Sequence, residues 1–201
     1  MKNNSLMIIA FMGVDGSGKS TIIKNLKSLL DKKYDNIIIN HLKPNLFGSN
    51  RLILSNYPHS KPLRSSLFSL LKIIHWLIIY KIFFFMLSKE KTNLILFDRY
   101  ANDVMIDKRR YRYNLSSKIT EKILNYFPQP DMWVVLNAEL NILRQRKKEV
   151  SIEELKRQTY EYMNFYKSKK NALLLDTTKS LDLNLKTIIS EINKYSQVSK
   201  T

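Results

Sequence analysis

A chain of 201 residues with 44% apolar content can build one α/β domain with a full core, and two domains would be cramped. The absence of cysteine excludes a disulfide framework and a thiolate metal site, and it fits a reducing compartment. A formal net charge of +17 raises nucleic-acid binding, but the lysines are scattered along helical stretches as solvated faces, and no basic-aromatic module is present, so no nucleic-acid partner is expected.

Met1 to Ser5 run straight into the apolar stretch Leu6–Met12, which leaves no room for a signal peptide and predicts a cytoplasmic protein. The stretch itself reads as a buried parallel strand. Next comes Gly13-Val14-Asp15-Gly16-Ser17-Gly18-Lys19-Ser20-Thr21, which holds three of the chain's four glycines and fits G-x-x-x-x-G-K-[ST]. Glycines there let successive N–H groups and the positive end of the following helix close on a phosphate. Lys19 then reaches the β- and γ-phosphates, and the Ser20 hydroxyl ligates Mg²⁺. The predicted phosphate-binding residues are Gly13, Gly16, Ser17, Gly18, Lys19, Ser20 and Thr21. Ile22, Ile23, Leu26, Leu29 and Leu30 follow at helical spacing.

Asp35–Leu42 reads as a second buried strand, and the polar, proline-bearing run Asn45–Pro62 as an active-site loop. Leu67–Leu87 is an apolar helix interrupted only by Ser69, Lys72, His75 and Lys81. Its length approaches a membrane span, but Lys72 and Lys81 fall on roughly opposite sides of it. That pattern fits a helix buried in the fold or in a dimer interface better than one lying on a membrane surface or crossing it. Asn93–Phe97 is a third strand ending in Asp98-Arg99-Tyr100, Tyr111–Ser117 a loop, and Ser117–Phe127 a helix closed by Pro128-Gln129-Pro130. Asp131–Leu136 is a fourth strand, followed by a charged helix from Glu139 that carries Arg144 and Arg146. A second charged helix covers Ile152–Lys169, with Ser151 as N-cap and Glu154 three residues on. Ala172–Asp176 is a fifth strand and Leu181–Tyr195 the last helix. Alternating strands and helices predict a parallel sheet covered on both faces, in a single domain over residues 1–201, with ligands beyond the carboxyl ends of the strands.

The candidate functional residues fall at those ends: the glycine-rich loop after the first strand, Lys43 after the second, Asp98 and Arg99 after the third. The G-V-D-G-S-G-K-S-T loop, the Asp98-Arg99-Tyr100 strand end, Pro130-Asp131 before the fourth strand and the arginine-bearing helix behind it resemble the thymidylate kinase family in order and spacing. The resemblance implies a three-layer P-loop kinase fold with strand order 2-3-1-4-5, ATP as donor, Mg²⁺, a nucleoside monophosphate acceptor such as dTMP, and a homodimer. It implies a catalytic set of Lys19, Asp15, Asp98, Arg99, Arg144 and Arg146, with a lid over about 144–152. It also implies metal contacts through Ser20 and Asp98, and an adenine-lining turn at Asp176–Ser180 that includes Thr178. Beside Arg99, Asp98 has three readings: it holds the arginine, orders Mg²⁺ through water, or acts as a base.

The acceptor half departs from the family pattern. No arginine lies between Arg64 and Arg99, so the helix that normally supplies a phenylalanine and an arginine to thymine is here the apolar stretch. After Tyr100 the chain reads Ala101-Asn102-Asp103 and reaches Arg109-Arg110-Tyr111-Arg112-Tyr113, a run suited to a phosphate or a basic surface loop. A phosphate acceptor needs converging cations, here Arg99, Arg109, Arg110 and Arg112. An alcohol acceptor needs a carboxylate, here Asp15, Asp98 or Asp103. The expected activity is therefore an ATP-dependent phosphotransferase of thymidylate kinase type. The alternatives are a kinase for a sugar or other small molecule, and a protein that keeps ATP without transfer or serves nucleic acid.

Overall fold

The structure, a computed structural model, describes residues 6–44, 62–87, 94–147 and 150–198. The loop predicted over Asn45–Pro62 lies outside the described residues except for Pro62, as do residues 148 and 149 of the expected lid.

Five parallel strands form the sheet: β1 (Met7–Met12), β2 (Ile37–His41), β3 (Leu94–Asp98), β4 (Met132–Asn137) and β5 (Ala172–Asp176). Their order is β2-β3-β1-β4-β5, as the family resemblance implied. Both faces are covered, and the period-two alternation of a strand divides each one between two cores. Ile8, Ala10 and Met12 of β1 enter one core, whereas Met7, Ile9 and Phe11 enter the other. Helices α1 (Lys19–Leu30) and α7 (Leu181–Val198) close the second core with Ile22, Ile23, Leu26, Leu185, Ile188 and Ile192. The first core is closed by α2 (Ser66–Leu87), α4 (Ser117–Leu124), α5 (Leu140–Arg146) and α6 (Ile152–Ser168), through Trp76, Tyr80, Leu124, Leu143 and Tyr162. Register brings the strand ends level: Asp98 pairs with Phe11 on one side and His41 on the other. The loop after β1 therefore opens beside Asp98.

Local expectations hold with three changes. The Ser151 hydroxyl accepts from the Glu154 N–H at 3.2 Å and caps α6. Helix α4 begins at a Ser116 cap and ends at Leu124 rather than Phe127, where Asn125, Tyr126 and Phe127 turn back onto the preceding carbonyls. A short helix, α3 (Asp103–Ile106), was not anticipated, because four residues carry too little periodicity to register. The third change is α2. Ile73, Trp76, Tyr80, Phe83 and Leu87 form a buried stripe at three- and four-residue spacing. Leu67, Leu71, Ile74, Ile78, Ile82 and Phe85 form a second stripe on the opposite side, exposed to solvent. The helix is long and apolar enough to cross a membrane, yet it is neither wholly buried in the fold nor polar on its free side.

The two stripes differ in what they contribute to folding. Ile73→Ala removes a fully buried side chain and should lower stability by about 2–5 kcal/mol. Ile78→Ala should change it by no more than about 0.5 kcal/mol, as at other exposed sites. Urea unfolding of the two variants in dilute solution measures the difference.

Candidate active site

The loop between β1 and α1 is shaped by its glycines. Gly13 sits at φ 149°, and a Cβ there would lie 2.7 Å from the Leu136 carbonyl oxygen and 2.9 Å from Ser17 Oγ. Gly16, at φ 81°, touches α5, with Arg146 Cβ 3.3 Å from where its own Cβ would stand. Lys19 is folded back over the loop and buried. Its Nζ donates to the carbonyls of Gly13 at 2.8 Å and Val14 at 2.9 Å, and to Ser17 Oγ at 3.3 Å. Burial, aided by Arg99, pulls its pKa down to about 8 against the opposing pull of Asp98 and Asp15.

Asp98 and Ser20 meet across the sheet end, the hydroxyl donating to Asp98 Oδ2 at 3.0 Å. The other oxygen, Oδ1, is buried with no hydrogen-bond partner. A buried orphan oxygen beside a hydroxyl fits a hydrated Mg²⁺, which takes one or two protein oxygens and completes its shell with water and phosphate. No group of three His, Cys, Asp or Glu side chains gathers among the described residues, and Mg²⁺ at a phosphate site does not require one.

Arg99 follows β3 directly and has a left-handed backbone, φ 71°, which is uncommon for a residue with a Cβ. Its Nη1 donates to Asp103 Oδ2 at 2.6 Å and to the Tyr162 hydroxyl at 3.0 Å, and its Nη2 to Asp15 Oδ1 at 2.5 Å. Asp103 is fully buried and also accepts from the Tyr111 and Tyr162 hydroxyls. Of the three readings of Asp98, holding the arginine does not match the geometry, since Asp103 and Asp15 do that. Asp15 in turn binds Arg110 Nη2 and lies 3.7 Å from Lys147 Nζ. Burial pushes the Asp15 carboxyl up, but Arg99, Arg110, Lys19 and Lys147 together hold it well below the usual carboxylate range.

The lid arginines sit differently. Arg146 is exposed and makes long contacts of 3.3–3.4 Å to Gly16 O and to Thr177, linking α5 to the loop. Arg144 is exposed in the last turn of α5, away from this cluster of contacts. The Thr178 hydroxyl and N–H both bind Asp176 Oδ1, at 2.6 and 2.9 Å, forming the turn after β5. The structure thus brings Asp15, Lys19, Ser20, Asp98 and Arg99 together, and leaves Arg144 and Thr178 at the margin. Sequence reading missed Tyr162 and Lys147 outright. Arg110 was only one cation of a basic run, with nothing nearby in sequence to single out its bond to Asp15.

Beside this cluster, α2 and the 110–112 segment line an open cavity of about 420 Å³. Phe68 and Lys72, one helical turn apart, both line it, so α2 does present a ring and a cation to a cavity despite its lack of arginine.

A five-stranded parallel sheet with a phosphate loop after its central strand, and cations converging at the carboxyl ends, defines a P-loop kinase. The thymidylate kinase family model matches residues 11–188. The chain belongs to the thymidylate kinase family. It is 26% identical over 199 residues to a probable thymidylate kinase of Sulfolobus acidocaldarius, covering 88% of this chain and 91% of that protein. It is 27% identical over 135 residues to a probable thymidylate kinase of Sulfurisphaera tokodaii, a match to 66% of this chain and only 64% of that protein's length. Among solved structures, thymidylate kinase from Ehrlichia chaffeensis superposes with a TM-score of 0.64 at 14% identity, over 94% of this chain and 99% of that one. Deoxyadenosine kinase from M. mycoides with bound dATP gives 0.58 at 17% identity, over 93% and 100%. At such identities the structural likeness is one of fold.

Asp103 and Arg99 form a buried ion pair, and deleting one member leaves the other charge uncompensated. Asp103→Ala should therefore cost about 3–5 kcal/mol of stability, read as a lower midpoint in chemical denaturation.

Proposed function

We propose that this chain, acting as one cytoplasmic domain, transfers the γ-phosphate of ATP to a nucleoside monophosphate, with dTMP the first candidate. The observation that carries this reading is the convergence of Lys19, Arg99 and Arg110, from three separate segments, around Asp15 of the phosphate loop. Phosphoryl transfer depends on alignment and on neutralising charge over the equatorial oxygens, and such an array supplies both. Lys19 exchanges its loop carbonyls for the β- and γ-phosphates, while the loop N–H groups hold the β-phosphate. Ser20 and Asp98 would hold Mg²⁺, which draws charge from the phosphate oxygens when bound. Arg99, fixed from behind by Asp103, faces donor and acceptor together. Arg146, and Arg144 with it, close over the donor as a lid, and Thr178 lies on the adenine side.

The carboxylates favour a phosphate acceptor over an alcohol. Asp103 has both oxygens taken and Asp15 is committed to two arginines, while Asp98, whose Oδ1 has no partner, is given in this reading to Mg²⁺ rather than to a hydroxyl proton. A non-nucleotide phosphate remains the second reading, because the cavity under α2 is lined by several cations.

A panel of nucleoside monophosphates and sugar phosphates, scored by ADP release with product identification, tests the reading. Turnover of dTMP at rates typical of enzymes, about 1–10³ s⁻¹, would establish it. ATP hydrolysis or binding with no phosphorylated product would defeat it. Lys19→Ala should lose about 10²–10³-fold in kcat with the fold retained by circular dichroism.

The reading includes a two-fold dimer through the exposed stripe of α2, which presents six large apolar side chains to solvent, from Leu67 to Phe85. Light scattering at micromolar concentration should give a dimer, and Ile78→Glu should give a monomer. A wild-type monomer that co-sediments with anionic liposomes would instead assign the stripe to a membrane surface.

A further inference from the structure

The cavity under α2 differs from the rest of the site in its charge balance. At the phosphate loop, Arg99, Arg110 and Lys147 each face a carboxylate, and buried Lys19 lies within the field of Asp15 and Asp98. In the cavity, Arg64, Lys72 and Arg112 make no ion pair with any carboxylate among the described residues, and only Arg110, at the inner edge, is paired. Two of these cations donate instead to backbone carbonyls, and Arg64 is fixed beside them through its main chain. Lys72 Nζ donates to the Tyr111 carbonyl at 2.5 Å and Arg112 Nε to the Pro62 carbonyl at 2.8 Å. The Arg64 N–H bonds the Arg112 carbonyl at 3.0 Å, which fixes the two arginines next to each other. Arg112 holds this place at φ 50°, a conformation unfavourable for any residue with a Cβ.

Like charges gathered at a cavity wall repel one another and lose hydration, so the arrangement is unfavourable until an anion enters. Lys72 registers this: burial, then Arg64, Arg112 and Lys43, bring its pKa down to about 8, with no carboxylate opposing them. A neutral base could take one cation as a hydrogen-bond donor and could lie against Phe68, but it would leave the other charges uncompensated. The cavity, of about 420 Å³, is within the range of small-molecule sites. It is continuous with the transfer site, since Arg110 lines it and also binds Asp15.

We propose that the acceptor carries two anionic groups: a phosphate that receives the γ-phosphoryl group beside Arg99 and Arg110, and a second phosphate or carboxylate at its far end held by Arg64, Lys72 and Arg112. In the transfer, an oxygen of the near phosphate forms the new bond to the γ-phosphorus. The bond from that phosphorus to the β–γ bridging oxygen breaks, and ADP leaves with the electron pair. The far group is unchanged. The assignment rests on the kinase reading above and narrows its acceptor class.

The test uses the full chain and three matched pairs of ligands, each differing in the far group. These are dTMP against thymidine 3′,5′-bisphosphate, deoxyuridine monophosphate against its 5-carboxy derivative, and glucose 6-phosphate against glucose 1,6-bisphosphate. Calorimetry gives affinity, and ADP release gives turnover. The doubly anionic member of at least one pair should bind about tenfold more tightly or better, the scale of one charged hydrogen bond. Arg64→Gln and Lys72→Gln should each erase most of that advantage at an unchanged melting temperature. Equal binding within every pair overturns the proposal, as does an advantage that survives both substitutions. Binding to phosphatidylglycerol but not phosphatidylcholine vesicles, lost in Lys72→Gln and without any preference in the soluble pairs, also overturns it and gives the cavity to a lipid headgroup. Turnover of dTMP with no preference would sink this inference and keep the kinase reading. A preference without phosphorylation of any ligand would keep an anion site in the cavity but sink the kinase reading, and with it the assignment of that ligand as acceptor.

Discussion

The site hangs on one buried carboxylate. Asp103 has no solvent exposure and accepts from Arg99, Tyr111 and Tyr162, donors that come from the end of β3, the 107–113 segment and α6. Burying a carboxylate and a guanidinium carries a desolvation penalty of several kcal/mol per ion, which is offset only when geometry and further hydrogen bonds are good. Here the tyrosines complete the set. Burial, then the Asp103 charge, push both hydroxyls well above their ordinary pKa, so they remain donors at any physiological pH. Arg99 is thereby held in a backbone conformation that it would not adopt on its own, with its second face left toward Asp15.

That arrangement leaves the transfer centre nearly neutral before any ligand arrives. Lys19, Arg99, Arg110 and Lys147 stand against Asp15, Asp98, Asp103 and Asp107. Asp15 occupies the cations that a phosphate would use, so an arriving anion competes with an internal carboxylate rather than filling a void. A site built in this way stays folded and hydrated when empty, and the incoming phosphates gain only the difference between two sets of charged contacts. Among the described residues, none of those lining the cavity under α2 is an anion, which is why its charge asymmetry stands out against the centre.

Much of this was legible in the sequence where the signal is local. Continuous apolar runs marked four of the five strands closely, and the glycine cluster marked the phosphate loop, because both depend on neighbouring residues. The pairings that assemble the site join residues far apart: Arg99 with Tyr162 across 63 residues, Asp15 with Arg99 across 84, and Asp15 with Arg110 across 95. A tyrosine in the middle of a charged helix gives no sign of facing a buried carboxylate. Helix α2 was legible as a helix, but which of its sides meets the core was not, for a different reason. A helix that is apolar on every side has no amphipathic direction, so its sequence cannot say which stripe meets the core. Asp98 lies beside Arg99 in sequence, yet the chain leaves the strand there with a left-handed turn, and the arginine's partners are Asp103 and Asp15.

Backbone strain follows the same map. Among the described residues, the non-glycine residues with left-handed φ are Leu42, Arg99 and Arg112. Two follow strands at the carboxyl edge of the sheet, and the third lines the cavity. Each is tied down by backbone hydrogen bonds to a neighbouring segment. The Leu42 N–H reaches the Asp98 carbonyl at 2.9 Å, the Arg99 N–H reaches the Phe11 carbonyl at 2.9 Å, and the Arg112 carbonyl accepts from Arg64. The Leu42 carbonyl also accepts from the buried Tyr80 hydroxyl of α2. Strained residues persist where surrounding structure over-determines them, and here the surrounding structure is the strand edge and α2. The same helix therefore does two jobs on neighbouring faces. Its buried stripe locks the strand ends that carry Arg99, while the flank bearing Phe68 and Lys72 forms a wall of the cavity. A change in how α2 packs would move both together, so the geometry of transfer and the choice of acceptor are tied to one element rather than tuned separately.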